Sequence, residues 1–146
     1  MLQNDRGEGL ERFVVAQESV YPAVEAELRN GRKRTHWMWF VFPQLRGLGS
    51  SERAQTYGIA SLGEAQAYLA HPLLGRRLRA CTVLVLAVRD RSLHEIFGSP
   101  DDAKFRSSMS LFALASSAVD SVFHTALERY CDGKLDEATV ALLSSR

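Results

Sequence analysis

Three stretches of the sequence carry residues whose types and spacing could do chemistry. The first is Arg32-Lys33-Arg34-Thr35-His36-Trp37-Met38-Trp39-Phe40. Cations next to aromatics suit phosphate contact combined with base stacking. The plainer reading makes the aromatics core and the basic run a solvated turn, and each indole N–H then needs a partner. The second stretch is Gly47-Leu48-Gly49-Ser50-Ser51-Glu52. Glycines leading into a helix start expose backbone N–H groups to an anion. Without a full dinucleotide fingerprint and with Glu52 in the first turn, an ordinary loop and cap is the better reading. The third opens Ser99-Pro100-Asp101-Asp102-Ala103-Lys104 and runs to Ser107-Ser108-Met109. Asp101 and Lys104 are neighbours on one helical face, and Ser108 lies four beyond Lys104. That face offers a carboxylate, an amine and a hydroxyl for acid–base work or ligand binding. The alternative is a capped helix with an exposed ion pair of little energetic weight.

Other chemistries are absent from the sequence. His36, His71, His94 and His124 are scattered and form no zinc-spaced set with Cys81 and Cys131. No metal and no cofactor is implied. There is no nucleophile elbow and no phosphate-binding loop motif. His71, just before Pro72, reads as a residue at the opening of a helix.

The elements that position these groups are helical. Leu10, Phe13, Val14 and Gln17 keep a helical spacing, as do Tyr21, Val24 and Leu28 after them. Pro22 kinks one helix or starts a second at its first position. Gly31 fits the residue after a helix end. The run from His36 to Phe42 is almost wholly apolar, and periodicity does not separate a buried strand from a buried helical turn there. Three Ser caps follow. Ser61 with Glu64 and Ser92 with Glu95 are capping boxes, and Ser99 with Pro100 is a variant. A helix starting at His71-Pro72 buries Leu74, Leu78, Cys81 and Val85. Phe105, Met109 and Phe112 share a stripe. Val119, Val122, Phe123, Ala126, Leu127 and Tyr130 give the clearest amphipathic pattern, ended by Gly133. Asp136 caps a last helix with Val140 and Leu143. No strand-like alternation, repeat or linker interrupts this. The expected architecture is all-α, a compact array of about seven helices in one domain over residues 9–146, behind a flexible tail over residues 1–8.

Bulk composition agrees. The chain has 146 residues, 46% hydrophobic and 24% charged, which is enough to bury a core and too apolar for disorder. Lys and Arg number 18 against 17 Asp and Glu, so there is no overall basic excess for duplex nucleic acid. No signal-peptide core or membrane-length apolar run is present, and two cysteines without a disulfide framework point to a reducing, cytoplasmic setting.

Four blocks together resemble a largely bacterial family, domain of unknown function 1810. They are His36-Trp37-Met38-Trp39-Phe40-Val41-Phe42-Pro43-Gln44 with Gly47-Leu48-Gly49, then Glu64-Ala65 with Tyr68 to Leu78, then Ile96 to Phe105, then Ser107-Ser108-Met109-Ser110-Leu111-Phe112. The likeness runs in order from about Phe13 to the Gly133–Asp136 region. Ser110 stands where the pattern has Thr, and both carry a hydroxyl. The resemblance implies an all-α multihelical domain and no established activity. Some relatives are labelled calpastatin, an inhibitor that is disordered, and this composition folds. A remoter likeness is to a helical superfamily linked to ADP-ribose and NAD-derived nucleotides, some of whose members cleave N-glycosidic bonds. No catalytic residue carries over from it.

Two functional expectations follow. In the first, His36, Trp37, Trp39, Gln44, Tyr57, Asp101, Lys104 and Ser108 line a pocket for a nucleotide or sugar phosphate. Trp37 or Trp39 stacks the base, Lys104 and Arg34 meet phosphate, and Asp101 is the acid–base group if the site hydrolyses an N-glycoside. In the second, the aromatic block is core and the domain is a non-catalytic module for a protein partner.

Overall fold

The computed structural model describes residues 5–118 and 121–146. Ten α-helices occur among them: α1 (Asp5–Glu18), α2 (Tyr21–Arg29), α3 (Met38–Val41), α4 (Glu52–Tyr57), α5 (Leu62–Ala70), α6 (Leu74–Ala87), α7 (Leu93–Phe97), α8 (Asp101–Ala115), α9 (Val122–Cys131) and α10 (Glu137–Ser144). The excess over seven comes mainly from one-turn pieces such as α3 and α4, too short to show a helical period. Among the described residues no strand forms, and an isolated parallel bridge joins Leu45 to Ile59. Val119, expected on the stripe of α9, lies outside the described residues. The expected tail over residues 1–8 overlaps the first turn of α1.

Local chemistry explains most boundaries. Pro22 sits in the first turn of α2, so Ser19 and Val20 separate two helices. Gly31 closes α2 at φ +71°, a conformation that costs glycine little. Ser61 accepts the Glu64 N–H, and Ser92 with Glu95 makes a reciprocal capping box. His71 Nδ1 accepts from the N–H groups of Leu73 and Leu74 at the opening of α6. The expected Ser99 cap does not form. α8 begins at Asp101 behind Pro100, and its first orphan N–H groups reach the carbonyls of Gly98 and Pro100 instead.

α8 is the centre of the molecule. Nine of its residues are buried, from Phe105 to Ala115, and it packs against α5, α7, α9 and α10. A helix apolar all round belongs in a core. Its serines are consistent with that. Ser107 Oγ donates to Asp136 Oδ2 at 3.0 Å, and Ser110 Oγ accepts from Asp136 N at 2.8 Å, so both dock the start of α10.

Candidate functional site

The polar groups of the sequence meet around α3 and the first turn of α8. The one-turn helix α3 turns the chain so that Trp37 points inward and Trp39 stays half-buried at the surface. Trp37 is 1% exposed, and its indole Nε1 donates to Glu27 Oε1 at 2.9 Å. Trp37 is therefore core and cannot stack a ligand, which corrects one of the two stacking candidates.

Trp39 sits in a different field. The Arg53 guanidinium lies 4.8 Å and the Lys104 ammonium 5.2 Å from its ring centroid. Lys104 is also 3.7 Å from Asp101 Oδ1, and Lys33 is 2.9 Å from Asp101 Oδ2. Asp101 thus links two ammonium groups. Lys33 is tied down twice more, by its N–H on the carbonyl of Ile96 and by its ammonium 5.2 Å from the Trp37 ring. Beside Trp39 is a narrow crevice of about 10 Å³ lined by Met38, Phe42, Gln44, Ala54, Tyr57, Gly58 and Lys104. It has room for about one water and is far smaller than a typical ligand pocket of roughly 300–1,000 Å³. On the other side of Tyr57 is an open depression of about 410 Å³, walled by Ala16, His36, Phe40, Glu52, Arg53 and Thr56.

Of the nine expected site residues, Trp39, Gln44, Tyr57 and Lys104 line the narrow space, His36 lines the depression, and Asp101 joins them through Lys104. Arg34, Trp37 and Ser108 are not brought in. The Arg34 side chain is exposed and lines neither space, while its N–H donates to Glu27. Ser108 is fully buried inside α8, and its hydroxyl has no protein partner. The helical spacing of Lys104 and Ser108 is real, but the helix sinks into the core after its first turn.

Three contributors escaped the sequence reading. Lys33, not Arg34, is the inward member of the basic run. Arg53 reaches Trp39 from α4. Glu27, 8% exposed, accepts from the N–H groups of Arg34 and Thr35, from Thr35 Oγ1 and from the Trp37 indole. Burial pushes its carboxyl up, yet these bonds outweigh that and hold it below the ordinary 4.5. A signal existed for Glu27: it lies three residues after Val24 on the buried face of α2. The thiol of Cys81, by contrast, is pushed up to about 11, first by burial, which keeps it protonated and unreactive. Among the described residues Cys81 and Cys131 are both free thiols, and no cluster of side chains could hold a metal ion.

Residues 7–143 match the family described as Protein of unknown function (DUF1810). The chain belongs to that family. A solved structure, the conserved hypothetical protein Rv1873 from Mycobacterium tuberculosis, is 61% identical to it. That likeness covers 92% of this chain and 96% of the other, with a TM-score of 0.90. No curated protein matches. The fold is thus shared with a mycobacterial relative. Among the described residues no helix is long and apolar enough to cross a membrane.

Proposed function

We propose that the surface of Trp39, Tyr57, Gln44, Arg53 and Lys104, edged by His36, binds a nucleotide or sugar phosphate of the NAD or ADP-ribose kind. The observation that carries this reading is a half-buried indole with two cations on its ring, at the mouth of a space lined by an amide and a phenol. Each cation–π contact at an exposed site is worth about 0.5–1 kcal/mol. A charge-assisted hydrogen bond to phosphate is worth about 1.5–3 kcal/mol. An arriving phosphate therefore draws Arg53 and Lys104 off the ring and frees the indole to stack a base. Gln44 supplies donors and an acceptor for a ribose or base edge.

In this reading Asp101 positions Lys33 and Lys104 rather than touching the ligand. The catalytic form, N-glycoside hydrolysis with Asp101 taking a proton from water, would first require release of two ammonium partners. Binding without chemistry is the better supported form. The test is a fluorescence titration with NAD and ADP-ribose. Saturable quenching with a Kd below about 1 mM, lost in Trp39→Phe and weakened about tenfold in Lys104→Ala, is the expected result. No quenching and no thermal shift with either compound would overturn the proposal and leave a protein partner as the reading to pursue. Release of nicotinamide from NAD, followed by chromatography, separates the catalytic form from simple binding.

A further inference from the structure

A wide, solvent-open cleft of about 590 Å³ lies away from Trp39. It lies where the chain leaves α6, and its walls are the 86–93 segment with Arg129 and Tyr130 of α9. Three exposed arginines, Arg89, Arg91 and Arg129, line it beside one acid, Asp90. Among the described residues none of the three has a carboxylate oxygen within 4.0 Å of its guanidinium nitrogens. Glu95, the next acid along, is engaged by the Ser92 N–H in the capping box of α7.

A plainer role for these arginines is to neutralise the carbonyl end of α6. That need is met by fewer groups than are present. Arg129 Nη1 donates to the carbonyl of Leu86 at 3.0 Å, and Tyr130 OH donates to that of Val85 at 3.0 Å. Arg129 keeps four of its five donors, a count set by guanidinium chemistry, and among the described residues the side chains of Arg89 and Arg91 make no hydrogen bond to the protein. The segment is also held in shape. Asp90 takes a left-handed φ of +63° between the two arginines. The Arg91 stem lies against Gly31, where a Cβ would come within 3.4 Å of its Cδ. Free cations on a shaped wall are a preorganised anion site.

We propose that this cleft binds a small phosphate-bearing ligand with more than one anionic group, such as a diphosphate. The assignment does not rest on the Trp39 reading. Its size suits a ligand of modest length, and guanidiniums match phosphate oxygens in bidentate pairs. Tyr130 and Leu93 give the cleft an apolar side for whatever the phosphates are attached to.

Isothermal titration of the full chain with inorganic pyrophosphate is the test. Saturable binding is expected, weakening as KCl rises. Affinity should fall about a hundredfold in the Arg89→Ala, Arg91→Ala double variant, since each lost pair removes about one decade. It should be unchanged in Arg76→Ala, an exposed arginine elsewhere on α6. Arg91→Lys, which keeps the charge but not the fork, should recover part of the loss. Absence of binding, or equal binding by the double variant, overturns the assignment. Loss in Lys104→Ala alone would place pyrophosphate at the Trp39 surface and also overturns it. Tight binding of a single-stranded oligonucleotide with none of pyrophosphate would do the same.

Discussion

Glu27 shows how one side chain can organise a loop from beneath it. Its carboxylate gathers the N–H groups of Arg34 and Thr35, the Thr35 hydroxyl and the Trp37 indole, and so fixes the path from Gly31 to Trp39. Glu27→Gln turns an acceptor into a partial donor among donors, and a cost of about 1–3 kcal/mol is expected. The folded carboxyl is held below its ordinary 4.5, so its stabilisation is complete above that value and is lost as pH falls through the lower, folded one. Urea midpoints between neutral pH and acid should therefore drop more steeply for the wild type than for Glu27→Gln. Parallel curves would show that the carboxylate is not the group responsible. Ser108 makes the opposite case. Its hydroxyl is buried without a protein partner, so Ser108→Ala should leave stability unchanged within about 0.5 kcal/mol or raise it. Loss of ligand binding in that variant would restore the ligand role expected of Ser108. At this scale the sequence was ambiguous for a physical reason. Trp37 and Trp39 are both indoles two residues apart, and only the turn of α3 decides that one faces Glu27 and the other solvent.

At the scale of elements, glycine chemistry separates two kinds of helix. Gly75 lies near the start of α6, where α5 passes so close that a Cβ would stand 2.1 Å from the Leu69 carbonyl oxygen. Alanine normally gains about 1 kcal/mol over glycine inside a helix. Here that gain is opposed by an overpacking cost of up to about 3 kcal/mol against rigid backbone. Gly75→Ala should lose about 2 kcal/mol net, a drop in Tm of roughly 4–8 °C for a domain of this size. A melting temperature equal to or above the wild type would mean that α5 and α6 can slide apart. The caps explain which elements were legible in advance. Ser61, Ser92, His71 and Asp136 each satisfy N–H groups within a few residues, so their signal is local. α3 has no side-chain cap and no period, because its four residues are held by what they pack against. Ser99 carried a valid cap signature, yet the start of α8 takes its acceptors from the carbonyls of Gly98 and Pro100.

On the scale of the molecule, α8 joins what would otherwise be separate clusters. Phe105 packs on Phe42 at 5.1 Å and on Phe97 at 5.0 Å, with Tyr130 at 6.5 Å. Two turns on, Phe112 meets Tyr68 and Phe123. The apolar period of α8 announced a buried helix, but no local pattern shows that its partners come from α3, α5, α7 and α9; those pairings span long stretches of chain and are set by shape. Phe105 bears on both proposed binding surfaces, since Phe42 lines the Trp39 crevice and Tyr130 lines the arginine cleft. Phe105→Ala should cost about 3–5 kcal/mol, a large share of the roughly 5–15 kcal/mol available to a domain. Far-UV and near-UV signals should still melt together at a lower temperature, because α8 packs on α5, α7, α9 and α10 and α5 and α9 in turn carry α6. Below that temperature both sites should weaken together, although neither contains Phe105. Two resolved transitions, or loss of one site with the other intact, would show instead that the clusters are independent and that α8 merely passes between them.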